Sequence, residues 1–120
     1  MKDAERLDRL GKISALLREK KLRRLQDAAQ SRQISLNRLA ALDAPMPPAD
    51  LTTIAAEEVA LRYAVWVDQR RREINLTLAR QTVEWLGALQ EAAVAFGRDQ
   101  VVQGLAEPPA GPIRRAARYR

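Results

Sequence analysis

The placement of proline constrains this chain more than any other feature. None occurs before Pro45, three fall together at Pro45, Pro47 and Pro48, and none follows until Pro108, Pro109 and Pro112. Proline has no N–H to donate and pushes the residue before it out of the α region. Two long stretches are therefore free to be helical, with a break between them and a second break near residue 107.

In the first stretch Leu7, Leu10, Leu17, Leu25, Leu36, Leu39 and Leu42 recur at three-, four- and seven-residue spacings or simple multiples, which predicts a helix over about 3–43. Its stripe reads Leu7, Leu10, Ser14, Leu17, Lys21, Leu25, Ala29, Arg32, Leu36, Leu39. Consecutive four-residue steps around Lys21 look like a stutter in a heptad pattern. Residues 44–50 form a Pro-rich turn, Asp50 is placed to cap the next helix, and that helix runs over about 51–106. Residues 108–120 hold four arginines and no acid, a basic Pro/Arg-rich tail expected to be disordered. The fold class that follows is all-α: an antiparallel two-helix coiled-coil hairpin over 1–107, with a longer second helix.

A hairpin closed about residue 46 or 47 places Leu39 opposite Ile54, Ala29 opposite Val65 and Leu17 opposite Leu76, and leaves residues beyond about 90 with no partner in the chain. The same register brings two charged middles together. In "VWVDQRRREINL", residues 65–76, Asp68 falls opposite Arg24, and Arg72 near Lys21. Arg24, Asp68 and Arg72 then either pin the register as a paired seam charge or extend to water along a thin seam.

Helix two carries more apolar surface than one neighbour covers. One stripe is Leu61, Val65, Arg72, Leu76, Ala79, Val83, Leu86; another is Val59, Tyr63, Trp66, Ile74, Leu78, Trp85, Leu89, Phe96. The pattern leaves open which of them packs on helix one. The residues expected to meet a partner protein are Tyr63, Trp66, Trp85, Leu89, Phe96, Val101, Val102 and Leu105, with Tyr63 and Trp66 also able to stack on Arg70. A dimer of hairpins that buries the same surface is the plainer alternative.

Charge is uneven. Residues 1–43 hold 11 basic and 6 acidic side chains, and residues 44–107 hold 6 and 9. Lys20, Lys21, Arg23, Arg24, Arg114 and Arg115 make a basic contact surface suited to an acidic protein or to phosphates. No nucleic-acid recognition module accompanies it, so nucleic acid stands behind protein as a partner. The chain has no Cys and no His, which removes thiol nucleophiles, imidazole bases and the usual zinc ligands. Its glycines show no phosphate-cradling spacing. No enzymatic activity, cofactor or metal is expected. No apolar run is long enough to span a bilayer, and the charged N-terminus does not read as a secretory signal, so a cytoplasmic location is expected.

A basic, leucine-rich first helix, a short turn, and a longer Trp-bearing helix ending in "WLGALQEAAVAFGRDQVVQGLAE" resemble the FliJ-like coiled-coil proteins of flagellar and related type III export systems. The resemblance covers most of residues 1–107. It implies an antiparallel hairpin similar to the stalk of rotary ATPases, a place in the export ATPase ring, and contact with the export gate. On that footing the chain is expected to be a coiled-coil stalk or adaptor for protein export, peripheral to a membrane-bound apparatus. A basic coiled-coil scaffold or nucleic-acid-binding protein is the alternative.

Overall fold

The computed structural model describes residues 2–45 and 52–106. Among these the chain is all-α, with α1 over Lys2–Ala41 and α2 over Thr53–Ala106. Pro47, Pro48 and Asp50 of the expected turn and cap, and the basic tail with Arg114 and Arg115, lie outside the described residues.

Both inner helix ends have local causes. Beyond Ala41 the backbone tightens to three-residue hydrogen bonds, Leu42 N–H to Leu39 C=O at 3.1 Å, Asp43 to Ala40 at 3.2 Å and Ala44 to Ala41 at 3.3 Å. This is the usual end of a helix approaching a proline, here Pro45. At the start of α2 it is Thr52 that caps. Its Oγ1 accepts from Ala55 N–H at 3.4 Å, and its carbonyl accepts the first helical bond from Ala56 at 2.8 Å, satisfying donors that the first turn leaves unpaired.

The chain divides into two compact units. One joins the first part of α1 (to Arg23) to the end of α2 (from Leu89), and the other spans Arg24–Ala88. In the second unit the helix segments run antiparallel, with Asp43 opposite Arg71, Ser35 opposite Gln81 and Arg32 opposite Thr82. In the first, Lys21 faces Glu91, Ser14 faces Asp99, and Gly11 faces Gln103. Both pairings depart from the expected register by about three heptads. A shift of whole heptads keeps the seam in phase, so hydrophobic periodicity alone does not select between such registers, whereas cross-helix side-chain bonds do.

The seam itself is an unbroken heptad on each helix. The covered positions of α1 step through Leu7, Gly11, Ser14, Arg18, Lys21, Leu25, Ala28, Arg32, Ser35, Leu39 and Leu42. Those of α2 step through Val67, Arg71, Ile74, Leu78, Gln81, Trp85, Ala88, Ala92, Ala95, Asp99 and Val102. The expected stutter at Lys21 is absent, because Gly11, Arg18, Ala28 and Ser35 take seam places that a leucine count assigns to Leu10, Leu17, Ala29 and Leu36. Ile74, Leu78 and Trp85, from the Trp-bearing stripe, face α1, while Leu61, Val65, Leu76, Val83 and Leu86 are exposed.

Candidate functional site: an apolar groove beside a polar seam

The seam of the first unit is held by polar groups. Asp99, only 4% exposed, accepts from Gln103 Nε2 at 3.2 Å and pairs with Arg18 Nη1 at 3.3 Å. Ser14 Oγ lies 2.9 Å from Asp99 Oδ1 and 3.0 Å from the Gly11 carbonyl. Its single proton serves one of them at a time, and the carboxylate is the stronger acceptor. Gln103 also donates to the Gly11 carbonyl at 3.2 Å. The Ser14 hydroxyl, the Gln103 amide and the Arg18 charge hold the Asp99 carboxyl below the usual carboxylate range, against the opposing effect of burial. Among the described residues no buried side-chain polar atom is left without a partner.

Small and polar seam residues have a consequence for the large apolar ones. Residues that directly precede a seam position all lie on one flank, and those that directly follow lie on the other. On the preceding flank of the first unit stand Leu10, Ile13 and Leu17 from α1 and Val94, Arg98 and Val101 from α2. Together with Val102 they line a groove of about 790 Å³, whose wall also holds Lys21 and Glu91, an ion pair at 3.2 Å. Leu10, Ile13, Leu17, Val94 and Val101 are all exposed, a contiguous apolar surface of the kind that marks an interaction site.

The sequence-derived site residues separate accordingly. Val101 and Val102 line the groove. Phe96 and Leu89 lie on the opposite flank, with the Arg18 guanidinium 5.3 Å from the Phe96 ring centre, and Leu105 is exposed near the helix end. The expectation that this end of α2 has no partner within the chain is corrected, since Gly11, Ser14 and Lys21 bond to it. Trp85 belongs to the seam of the second unit, under Arg32 at 5.0 Å from its ring centre. Arg32 Nε donates to Thr82 Oγ1 at 3.2 Å. Tyr63 and Trp66 lie on the part of α2 before Arg71, and they stack on each other, ring centres 5.9 Å apart, rather than on Arg70.

The register pair is also corrected. Asp68 pairs with Arg71 on its own helix at 3.8 Å, Arg71 reaches Asp43 at 3.0 Å, Arg70 pairs with Glu73 at 3.2 Å, and Arg72 is exposed. The charge cluster of residues 68–73 is mainly a solvated face, and only Arg71 of it enters the seam. Within the basic contact surface Lys20, Arg23 and Arg24 are exposed, whereas Lys21 is drawn into the seam by Glu91.

Sequence reasoning missed Ile13 and Val94 as site residues and placed Leu10 and Leu17 in the seam. The available signal was the heptad through Gly11, Ser14 and Arg18, which leucine counting hides. Among the described residues no group of acidic side chains is arranged to hold a metal, and no helix is long and apolar enough to cross a membrane. Searches against family models, curated proteins and solved structures find no match.

Proposed function

We propose that this chain is a non-enzymatic helical adaptor that binds partner proteins through the groove between α1 and α2. One observation carries the reading: polar and small residues occupy most of the first unit's seam, while Leu10, Ile13, Leu17, Val94 and Val101 are exposed around a common trough. A hairpin evolved only to stand alone gains most by placing such residues inside. The resemblance to FliJ-like proteins suggests the setting, a flagellar or type III export apparatus with the export ATPase or export gate as the partner. The leucines and valines between the cations of this face have no use to a phosphate backbone, which favours a protein over a nucleic acid.

The test is a Val94→Glu, Val101→Glu variant beside a Leu76→Glu control, which changes an exposed apolar residue away from the groove. Purified export ATPase and the cytoplasmic part of the export gate from the same cell are titrated against each protein, and export is scored in cells. The reading expects the groove variant to lose binding and export while keeping wild-type helicity, and the control to keep both. Undiminished binding by the groove variant would refute the groove's role. Binding to neither component would refute the export setting.

A further inference from the structure

Charge around the groove identifies the chemistry of its occupant. Along the first part of α1, Arg6 and Lys20 directly precede seam positions and so share the groove's flank, and Arg9 and Arg23 stand on the adjoining outer face. All four are exposed. Of the acids on this part of α1, Asp8 and Glu19 follow seam positions and stand on the opposite flank, Asp8 paired there with Lys12 at 3.3 Å, while Asp3 and Glu5 stand in the first turn, before the groove begins at Leu10. On the α2 side Arg98 lines the groove, and its one carboxylate, Glu91, is already bonded to Lys21. An apolar trough therefore sits inside a rim in which basic side chains outnumber acidic ones.

We infer that the groove receives an acidic amphipathic helix from a partner protein, its apolar stripe in the trough and its Glu and Asp side chains against Arg6, Arg9, Lys20, Arg23 and Arg98. The inference rests on the partner-binding reading above and names what is bound. From Leu10 to Lys21 the trough runs for roughly 16 Å at about 1.5 Å per residue, some three helical turns. A third helix laid between two others is the usual way such a trough is filled. A second copy of this chain would bring two positive rims together, which disfavours it. A lipid surface is served by a convex apolar face on a single helix, whereas this lining is shared between two helices, more than half of it from α2.

The experiment displays a library of 18-residue helical peptides with apolar residues fixed at i, i+3, i+4 and i+7 and the flanking positions randomised among Glu, Lys, Gln and Ser. It is selected against the full chain, and binders that survive against the Val94→Glu, Val101→Glu variant are discarded. The expected survivors are rich in flanking Glu. Synthesised, one such peptide binds at least about ten-fold more tightly than its Lys-flanked counterpart at low salt, and the gap narrows as salt rises. Arg6→Glu, Arg9→Glu, Lys20→Glu, Arg23→Glu, with helicity unchanged, inverts that preference. Survivors with neutral or basic flanks, or none dependent on Val94 and Val101, would overturn the inference. So would binding to vesicles of phosphatidylglycerol and phosphatidylcholine without peptide binding, or a dimeric mass at low micromolar concentration that the groove variant abolishes. Because the peptides are read against the chain alone, their failure leaves the titration with export components standing, and the converse also holds.

Discussion

Ile74 and Leu76 are two residues apart on α2, similar in size, and opposite in fate, which makes them a direct probe of the seam. Ile74 is 7% exposed and Leu76 63%. Full burial of such a side chain is worth about 1.5–3 kcal/mol, and truncating a buried Ile to Ala adds a cavity term for a typical range of about 2–5 kcal/mol. Two helices close over a small void more easily than a globular core does, and alanine's better helix propensity returns roughly 0.4 kcal/mol. Ile74→Ala is therefore expected to cost about 2 kcal/mol. Leu76→Ala removes a side chain mostly in water already, and is expected to cost about 0.5 kcal/mol or less. At about 4 °C per kcal/mol for a chain of this size, the melting temperatures fall by roughly 8 °C and 2 °C. Urea and thermal melts by far-ultraviolet circular dichroism measure both. Equal losses, or a larger loss for Leu76→Ala, would refute this assignment of the seam and restore the stripe through Leu61, Val65 and Leu76.

Three further outcomes are expected. Because the folded-state pKa of Asp99 lies below its ordinary value of 3.8, the unfolded chain binds that proton more readily. The stability contributed by the carboxylate is full above the ordinary value and is lost as pH falls through it and below. The urea midpoint of the wild type should then fall more steeply on acidification than that of Asp99→Asn, and parallel curves would contradict the network. Ser35 donates to Gln81 across the seam at 2.6 Å, so a double-mutant cycle to alanine should show coupling above about 0.5 kcal/mol, while Arg24 and Asp68 add independently. Gly87 and Gly104 are helical and have open space where a side chain would project, so each changed to Ala should raise stability by roughly 0.5–1 kcal/mol in the same melts.

The helices were legible because proline placement is a backbone constraint that packing does not override. α1 ends before Pro45 and α2 before Pro108, within two residues of expectation at every described end. The seam of α1 was legible in part: Leu7, Ser14, Lys21, Leu25, Arg32 and Leu39 of the expected stripe are covered, whereas Gly11, Arg18, Ala28 and Ser35, residues that a leucine count passes over, take the places between them. Pairwise chemistry makes the polar ones seam residues: Ser14 with Asp99, Arg32 with Thr82 and Trp85, Ser35 with Gln81. Such pairs are visible only once the register is known. Assuming a tight turn fixed that register about three heptads away, and it moved the apparent overhang to the wrong end of α2. The sequence points to Val101 and Val102 through the lack of a partner helix, whereas the groove they line depends on α1 being beside them.

In each unit the register decides which residues are covered, and cysteine cross-linking tests that of the second unit directly in a chain that has no native Cys. Two double variants are compared under mild oxidation: Ser35→Cys with Gln81→Cys, which face each other across the seam, and Ala29→Cys with Val65→Cys, which face each other in the register of a tight turn. Mass spectrometry after proteolysis reads the intramolecular disulfide. The account predicts rapid, near-complete closure of the first pair and none of the second within the monomer. Closure of Ala29→Cys with Val65→Cys, with the first pair left reduced, would contradict it.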